Sequence, residues 1–519
     1  MPEISLEVSL GVPGEFPEAA QDPQNLSEVC ETVSDHTAST EESADRLIEG
    51  CVMLMSEMQP THPDILRGIR VSRVLHSSVC AWMRGNLEQI QELSQVTTQL
   101  DEFWSHSWQA RLWLKYVSIL YRSNGTPAFI LGSLSSLVAF SLKVAGAIGW
   151  VGACTLAGAA GYYLTLVMWR PRTQVFLDVA CVEQVDPNLK TQGLMSMGAF
   201  LKASKSLVIF WDTSFVSRLW CLFEMAGFMH AQKLGASRYL EVCPVFVGPA
   251  LLCGNAGLCM MFFIVIIAEM DFASLNTDIG LVLGVVGLML LCLTSLAYVV
   301  LSHCRSIDVM QSQVRHFTIE HSSSQCCADE HLTSTGERII CDREIILRCI
   351  STWFGSPEQF EEMVRTKLLK QLVHQLANRT FSYWRIVQAA SPVMWIYLDW
   401  IFPPDYLLVG LLRMCMYWLT LVPTLVLVSL RLAYSVRNLC HSVFARILIS
   451  MLLVANVAFM VAAFFALEVY VATAISPADS ERLTPVATSI VFVAMGVVTT
   501  LLWCCLPPIQ APTSPLEAD

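Results

Sequence analysis

The side chain best placed for chemistry in this chain of 519 residues is the carboxylate of Glu224. It lies in the stretch 204–228, which begins with a short apolar run, 207–211, that has the character of a buried strand. Three residues with side-chain oxygens follow, 212–214, and favour a turn and the start of a helix. That helix carries Glu224 beside its core-facing side, close to the carboxyl end of the strand. Ligands of open α/β sheets bind at this end, so Glu224 is the leading candidate for a catalytic group.

The composition indicates an α-helical multi-pass membrane protein. Hydrophobic residues make up 54% of the chain and charged residues only 15%, and several uncharged runs have the roughly 20 residues that a helix needs to cross a bilayer. The net charge of −12 argues against nucleic acid as a partner and leaves membrane lipids as the expected one. The 19 cysteines have no framework spacing, which predicts reduced thiols.

The pattern of apolar runs predicts seven or eight spans. A hairpin of two spans (TM1, TM2) is expected at 127–169, two more spans (TM3, TM4) within 247–303 at 247–269 and 280–303, and others at 406–430, 447–472 and 486–506. The segment 386–402 either crosses the bilayer or lies along its surface, because it contains Asp399. If this segment crosses the bilayer, only Lys143 and Arg482 lie on one side of the membrane. The other basic residues of the connecting segments then all lie on the opposite side. The positive-inside rule therefore favours eight spans with both termini cytosolic.

The remaining segments are expected to be aqueous or peripheral. Residues 1–45 are acidic, carry no secretory signal and are predicted to be disordered. Residues 46–98 have helical periodicity and predict a helical segment, as does the charged block 304–385. The C-terminal membrane region is assigned to 386–507, with 508–519 as a tail.

Several segments, taken in order, resemble the TIR (Toll/interleukin-receptor) domain. The strand end FWSHSW, the segment VFLDVACVEQVDPNLK, the helix and strand GLMSMGAFLKASKSLVIFW, the helix SFVSRLWCLFEMAGF and the strand VCPVF are each similar to a TIR element. Part of VFLDVACVEQVDP is also similar to the heterokaryon-incompatibility domain, and the combination with many spans resembles multi-pass proteins of unicellular eukaryotes. The resemblance implies a cytosolic α/β domain with a parallel sheet, assembled from 99–126 and 170–246 and interrupted by the membrane hairpin 127–169.

The resemblance implies two functions and a set of site residues. Many TIR domains act by self-association in signalling, which is the leading expectation here. Others cleave NAD at the nicotinamide–ribose bond with the glutamate that corresponds to Glu224, which makes NAD nucleosidase activity the alternative and a transporter or channel the third. The same resemblance makes Ser105, His106 and Asp178 candidates for binding NAD, with Asp178 and Asp186 flanking a loop that closes over ligand or forms the self-association surface. It makes Trp220 and Cys221 a structural motif.

Two further predictions concern metals and buried charge. A tract rich in histidine and cysteine, 316–341, contains no Cys-x-x-Cys pair and no matching histidine pair, so no metal site is predicted. Arg413 lies within a predicted span, where an unpaired arginine is costly. Asp399 or Asp405, which lie a short way back along the chain, are its expected partners.

Overall fold

The computed structural model describes residues 40–77, 91–107, 111–184, 186–233, 239–272, 279–328, 330–331, 341–401, 407–439, 442–475 and 480–510. Within these residues the chain forms one six-stranded sheet and a bundle of long apolar helices. The strands are β1 (Arg67–Arg70), β2 (Gln95–Val96), β3 (Leu100–His106), β4 (Gln174–Phe176), β5 (Ser204–Trp211) and β6 (Tyr239–Pro244).

The strand order of the sheet is β2-β1-β4-β3-β5-β6. Strands β4, β3, β5 and β6 are mutually parallel, and Phe103 of β3 lies opposite Phe176 of β4. The two phenyl rings stack with centroids 4.4 Å apart, and Phe200 packs on Phe176 at 4.5 Å. All three side chains are fully buried. The segments before and after the predicted membrane hairpin therefore meet in one sheet. The sheet is mixed and not parallel throughout as the resemblance implied, because β1 pairs antiparallel with β2 and with β4.

The α-helices in the first half of the chain connect the strands and form the hairpin. They are α1 (Thr40–Glu57), α2 (Val71–His76), α3 (Leu112–Val144), α4 (Ala153–Met168), α5 (Asp178–Cys181), α6 (Pro187–Met195), α7 (Met197–Ala203) and α8 (Leu219–Lys233). A sharp turn joins α3 to α4, and the positive φ angles of Gly146 (75°) and Gly152 (107°) show why glycine is needed there.

The described residues of the second half form helices joined by short turns and irregular segments. Its α-helices are α9 (Val247–Phe272), α10 (Ile279–Arg315), α11 (Gln325–Ala328), α12 (Asp342–Phe354), α13 (Pro357–Met363), α14 (Leu369–His374), α15 (Tyr383–Ala389), α16 (Ser391–Trp400), α17 (Leu407–Cys415), α18 (Val422–Val436), α19 (Val443–Ile475) and α20 (Ser480–Cys505). Short π-helical segments continue the chain at 364–368, 375–379 and 416–421. Ser356 caps α13 by accepting a hydrogen bond from the backbone N–H of Gln359, as the Ser-Pro pair predicts.

Six described helical stretches are long and apolar enough to cross a membrane, which supports an integral, multi-pass protein. They are Leu112–Val144, Val247–Ile267, Met289–Arg315, Leu407–Leu439, Val443–Ile475 and Pro485–Cys505. The second limb of the hairpin, α4, is a shorter apolar helix of 16 residues. The ambiguous segment 386–402 is two short helices, α15 and α16, that meet at Ala390.

Helix α3 joins the sheet to the hairpin without a break. The ammonium group of Lys115 donates to the carbonyl of Ser107, just beyond the carboxyl end of β3. About two turns further along α3, the guanidinium of Arg122 donates to both carboxylate oxygens of Glu102, near the amino end of β3, at 2.8 and 3.0 Å. The helix therefore runs antiparallel to β3, and its apolar part continues past the amino end of the strand. The carboxyl ends of the parallel strands point away from the apolar helices.

The block 304–385 packs against the sheet at β6, the edge strand. The side-chain amide of Gln375 accepts a hydrogen bond from the N–H of Val242 at 2.7 Å and donates one to the carbonyl of Leu240 at 2.6 Å. These are backbone groups that an additional strand would otherwise bind. Gln375 therefore closes this edge of the sheet.

The prediction that Asp399 pairs with Arg413 is wrong. The other predicted partner, Asp405, lies outside the described residues. Arg413 bonds Glu468 of α19 at 2.6 Å. Asp399 instead accepts hydrogen bonds from the backbone N–H groups of Cys154 and Thr155 at the start of α4, at 3.0 and 2.8 Å. Lys143 lies beside it, with Nζ 4.0 Å from Oδ1. Each of these two acids thus binds groups of a helix that is distant in the sequence.

The prediction of a helical segment at 46–98 is only partly correct. Helix α1 begins at Thr40, inside the stretch predicted to be disordered, and the rest of that stretch lies outside the described residues. After it the chain forms β1 and β2. Strand β1 pairs antiparallel with β4, with Ile69 opposite Val175, because the exposed edge of β4 provides backbone hydrogen bonds that local helical periodicity does not reveal.

Candidate functional site

The carboxyl ends of β3 and β4 and the helix after β5 bring three predicted residues together. The hydroxyl of Ser105, the penultimate residue of β3, donates to Oε2 of Glu224 at 2.5 Å. Ser105 is buried and Glu224 is half-buried. Asp178 is the first residue of α5, separated by one residue from the end of β4, and it is also buried. The predicted catalytic glutamate and two of its predicted neighbours thus occupy one end of the sheet.

Burial sets the protonation of the two acids. Loss of hydration raises the pKa of Glu224 to about 8, an effect that the hydrogen bond from Ser105 opposes and the negative charge of Asp178 strengthens. Burial also raises the pKa of Asp178, to about 6, against the lowering effects of the N–H of Val179 and the charge of Lys115. Near neutral pH the site therefore holds one mostly protonated acid and one mostly ionised acid.

The other predicted residues are more deeply packed. His106 ends β3, and burial holds its pKa well below the ordinary value, so the imidazole is neutral at physiological pH. Cys221 is buried, its thiol donates to the carbonyl of His106 at 3.7 Å, and burial raises its pKa well above the ordinary value. Cys221 is thus a buried residue with no reactive thiolate.

A second polar chain extends the site, and sequence reasoning identified only its turn residues. The hydroxyl groups of Ser107 and Ser214 lie 2.6 Å apart. Ser214 also bonds the carboxylate of Asp212 through its hydroxyl and, at 2.7 Å, through its backbone N–H. The polar residues that follow each strand in the sequence are the signal from which this series of hydrogen bonds could have been located.

The block 304–385 covers the start of α8. The indole N–H of Trp220 donates to Asp342 at 3.3 Å. The backbone N–H of Leu219 donates to the carbonyl of Ser323 at 3.1 Å, and the N–H of Ser323 donates to the carbonyl of Ser217 at 2.7 Å. Trp220 is therefore held by a distant part of the chain that no local sequence pattern connects to it.

A cavity of about 380 Å³ lies elsewhere, between the sheet and the membrane helices. Its lining includes Glu102, Arg122, Glu241 and Arg385, which form ion pairs at 2.7–3.4 Å, and it does not include Glu224. The carboxylates already balance the guanidinium groups there. The cavity is therefore separate from the acids at the carboxyl ends of the strands.

Two acids with separated pKa values suit glycosidic chemistry, in which a developing positive charge on the sugar must be stabilised. Asp178 supplies a negative charge, and Ser105 orients Glu224. A hydroxyl group of a sugar could replace Ser105 as the hydrogen-bond donor to Glu224. Comparison of the chain with protein-family models, with curated proteins and with solved structures finds no match.

Proposed function

We propose that this is a membrane-embedded signalling or interaction protein that acts by self-association of its TIR-like domain. The observation that carries the proposal is the single helix α3, which contributes its first third to the sheet domain and the rest to the membrane hairpin. Because the hairpin is inserted between two parallel strands of the sheet, β3 and β4, the two regions are coupled directly. A change in helix packing would reach the sheet through α3 without a flexible linker.

The loop after β4 is the proposed self-association surface. Asp186 caps α6 by accepting hydrogen bonds from the N–H groups of Asn188 and Leu189 at 2.8 and 3.3 Å. This cap holds the first turn of α6, where the side chain of Leu189 is exposed, with 42% of its surface accessible. An exposed leucine in a capped helical turn offers apolar surface for a small contact between copies.

The test compares two arginine substitutions in the full chain, reconstituted in lipid nanodiscs or liposomes at varied density. Leu189→Arg should weaken self-association at least about tenfold, a loss of about 1.4 kcal/mol. Met53→Arg is the matched control, because Met53 has a similar exposure of 46% on α1. Association would be measured by energy transfer between labelled copies. A monomeric wild type, or equal effects of the two variants, would contradict the proposal.

A second candidate function, NAD hydrolysis, is favoured by the contact between Ser105 and Glu224. Water would add to the ribose carbon while the bond to nicotinamide breaks, which gives ADP-ribose, nicotinamide and a proton. In NAD the nicotinamide ring is a pyridinium cation. It therefore leaves as a neutral base and needs no proton from the protein. The requirement is negative charge, which Asp178 supplies and Glu224 would supply once ionised.

Nicotinamide release by the full chain in detergent or liposomes tests this candidate. The rate should rise with pH toward about 8, the pKa of Glu224, because the ionised form accepts a ribose hydroxyl. Glu224→Ala should abolish release, and Ser105→Ala should alter it, while Glu320→Ala at an exposed acid should leave it unchanged. Absence of NAD cleavage even at high protein density would exclude the enzyme and leave the self-association proposal in place.

We also propose eight membrane crossings with both termini cytosolic. Hydrogen bonds join Asn378 to Ile509 in both directions, at 3.0 and 2.8 Å, which supports an assignment of both residues to the side of the sheet. Three long helical stretches separate them, and an even number of crossings needs a fourth, which α15 and α16 supply together. The excess of arginine in the connecting segments on this side supports a cytosolic assignment.

A further inference from the structure

Four residues of the tract 316–341 meet in space, although their spacing along the chain did not indicate it. They form the cysteine–histidine cluster: Cys326, Cys327, His331 and Cys341, whose potential ligand atoms all lie within 4.8 Å of one another. His316 and His321 from the same tract have other partners, the carbonyl of Ser312 and the hydroxyl of Thr318. The fold thus selects one histidine and three cysteines.

The separations within the cluster match tetrahedral coordination. Ligand sulfurs at about 2.3 Å from a tetrahedral zinc ion lie about 3.8 Å apart. The Sγ atoms of Cys326 and Cys327 are 3.9 Å apart, and those of Cys327 and Cys341 are 3.7 Å apart. A disulfide would bring two sulfurs to about 2.05 Å. The sulfurs are therefore spaced for a shared cation.

His331 completes the arrangement. Its Nε2 atom is buried and has no hydrogen-bond partner among the described residues, which is costly for an imidazole nitrogen unless an unseen group binds it. Glu330 and His331 have positive φ angles of 54° and 59°, a backbone conformation that is unfavourable for residues with side chains. The N–H of His331 donates to the carbonyl of Cys326 at 2.8 Å, so the chain folds back to bring the imidazole to the cysteines.

We propose that the cysteine–histidine cluster binds one structural zinc ion with three thiolate ligands and one imidazole ligand. Three sulfurs favour zinc over the harder cations magnesium and calcium, and a fully protein-ligated site is typical of a structural role. The ion ties together the two segments that hold the start of α8. Ser323 lies shortly before Cys326, and Asp342, the acceptor for Trp220, follows Cys341 directly.

The test measures zinc in the full chain, purified in detergent through a tag that binds no metal. Wild type should contain one zinc per chain, and Cys341→Ser or His331→Ala should reduce this content at least tenfold. His316→Ala and Cys504→Ser are matched controls that should retain it. His331→Cys, which preserves a ligand, should also retain zinc and shows that loss in His331→Ala does not come from misfolding.

Cobalt reconstitution provides a measurement that needs no variant. Co²⁺ in the wild-type chain should give the strong visible absorption of tetrahedral coordination and the near-ultraviolet band of thiolate-to-cobalt charge transfer. Three results would each overturn the proposal: wild type without zinc, equal zinc in the ligand and control variants, or a native disulfide between cysteines of the cluster. An octahedral cobalt spectrum would overturn it as well.

Discussion

At the scale of single residues, the raised pKa of Glu224 predicts a pH-dependent stability. The pKa is about 8 in the folded chain and about 4.5 for an ordinary glutamate. Between these values the unfolded state releases a proton that the folded state keeps, so folding is favoured at low pH and loses stability as pH rises. Each pH unit in this window costs at most about 1.4 kcal/mol. Glu224→Gln should remove this loss.

Thermal unfolding of the full chain in detergent from pH 5 to pH 8 checks this expectation. The midpoint of Glu224→Gln should rise relative to that of wild type as pH increases, since the amide cannot ionise and its carbonyl still accepts the hydrogen bond from Ser105. Asp178 contributes to both proteins and largely cancels in the difference. Glu320→Gln, at an exposed acid, provides the control. A constant difference between Glu224→Gln and wild type would show that Glu224 ionises normally.

The residues of the candidate site were predictable because the ends of the strands can be located from the sequence. Ser105 is the penultimate residue of β3 and Asp178 lies just beyond β4, and parallel strands place such residues at one edge of the sheet. The pairing of Arg413 was not predictable in this way. Its partner Glu468 is 55 residues away on another helix, and only the packing of α17 against α19 brings the two charges together. The same holds for the contact between Trp220 and Asp342.

At the scale of elements, Gln375 is predicted to be a specific stabiliser of the sheet edge. Gln375→Ala leaves the N–H of Val242, a buried residue, and the carbonyl of Leu240 without their partner. An unsatisfied buried backbone group costs about 1–3 kcal/mol. Gln371→Ala, four residues earlier at an exposed position of α14, should cost much less. Thermal unfolding measures the difference, and hydrogen exchange of residues 239–244 should accelerate only in Gln375→Ala.

The start of the second hairpin limb makes a corresponding prediction inside the membrane region. The side chain of Asp399 is fully buried and that of Lys143 is 6% exposed. Asp399→Ala should destabilise the chain by about 3 kcal/mol or more, because it removes the negative charge beside Lys143 and uncaps α4. The ammonium group of Lys143 would keep its hydrogen bond to the backbone carbonyl of residue 399. Lys143→Met should cost less, since the carboxylate keeps its bonds to Cys154 and Thr155.

The double variant Asp399→Ala with Lys143→Met separates pairing from capping. Its cost, measured by unfolding in mixed detergent micelles, should be smaller than the sum of the single costs, because no charge remains unpaired. Simple additivity would mean that the two charges do not interact. In that case the cost of Asp399→Ala would come from the lost helix cap alone.

Helices and strands were predictable where the local sequence pattern and the tertiary contacts favour the same structure. The strand at 204–211 and the helix containing Glu224 follow from the apolar run and the turn chemistry of the sequence. The strand at 67–70 does not, because it forms by pairing with β2 and with β4, which are both distant in the sequence. The length of α3 was not predictable in this way: the helix runs unbroken for 33 residues from Leu112 to Val144, and Pro127 lies within it without ending it.

At the scale of the whole molecule, one arrangement accounts for the positions of the sheet, the hairpin and the chain end. Gln388 of α15 bonds Thr126 of α3 at 3.3 Å, at the level where α3 leaves the sheet. Asp399, at the end of α16, lies beside Lys143 at the far end of α3. The two short helices therefore run along the hairpin from one end to the other. This course along the hairpin supports the proposed crossing by 386–402.

This arrangement predicts the sidedness of four positions, which protease digestion of epitope tags in sealed vesicles can measure. Tags at the N-terminus and the C-terminus should be digested together, and tags inserted at 404 and 477 should be digested together from the opposite side. If 386–402 did not cross, the C-terminal tag would be protected when the N-terminal tag is exposed, and the tag at 404 would follow the N-terminus. Digestion of all four tags after permeabilisation is the control. Because Asn378 and Ile509 bond each other directly, separation of the two termini by the membrane would contradict the eight-span arrangement and the cytosolic assignment of both termini.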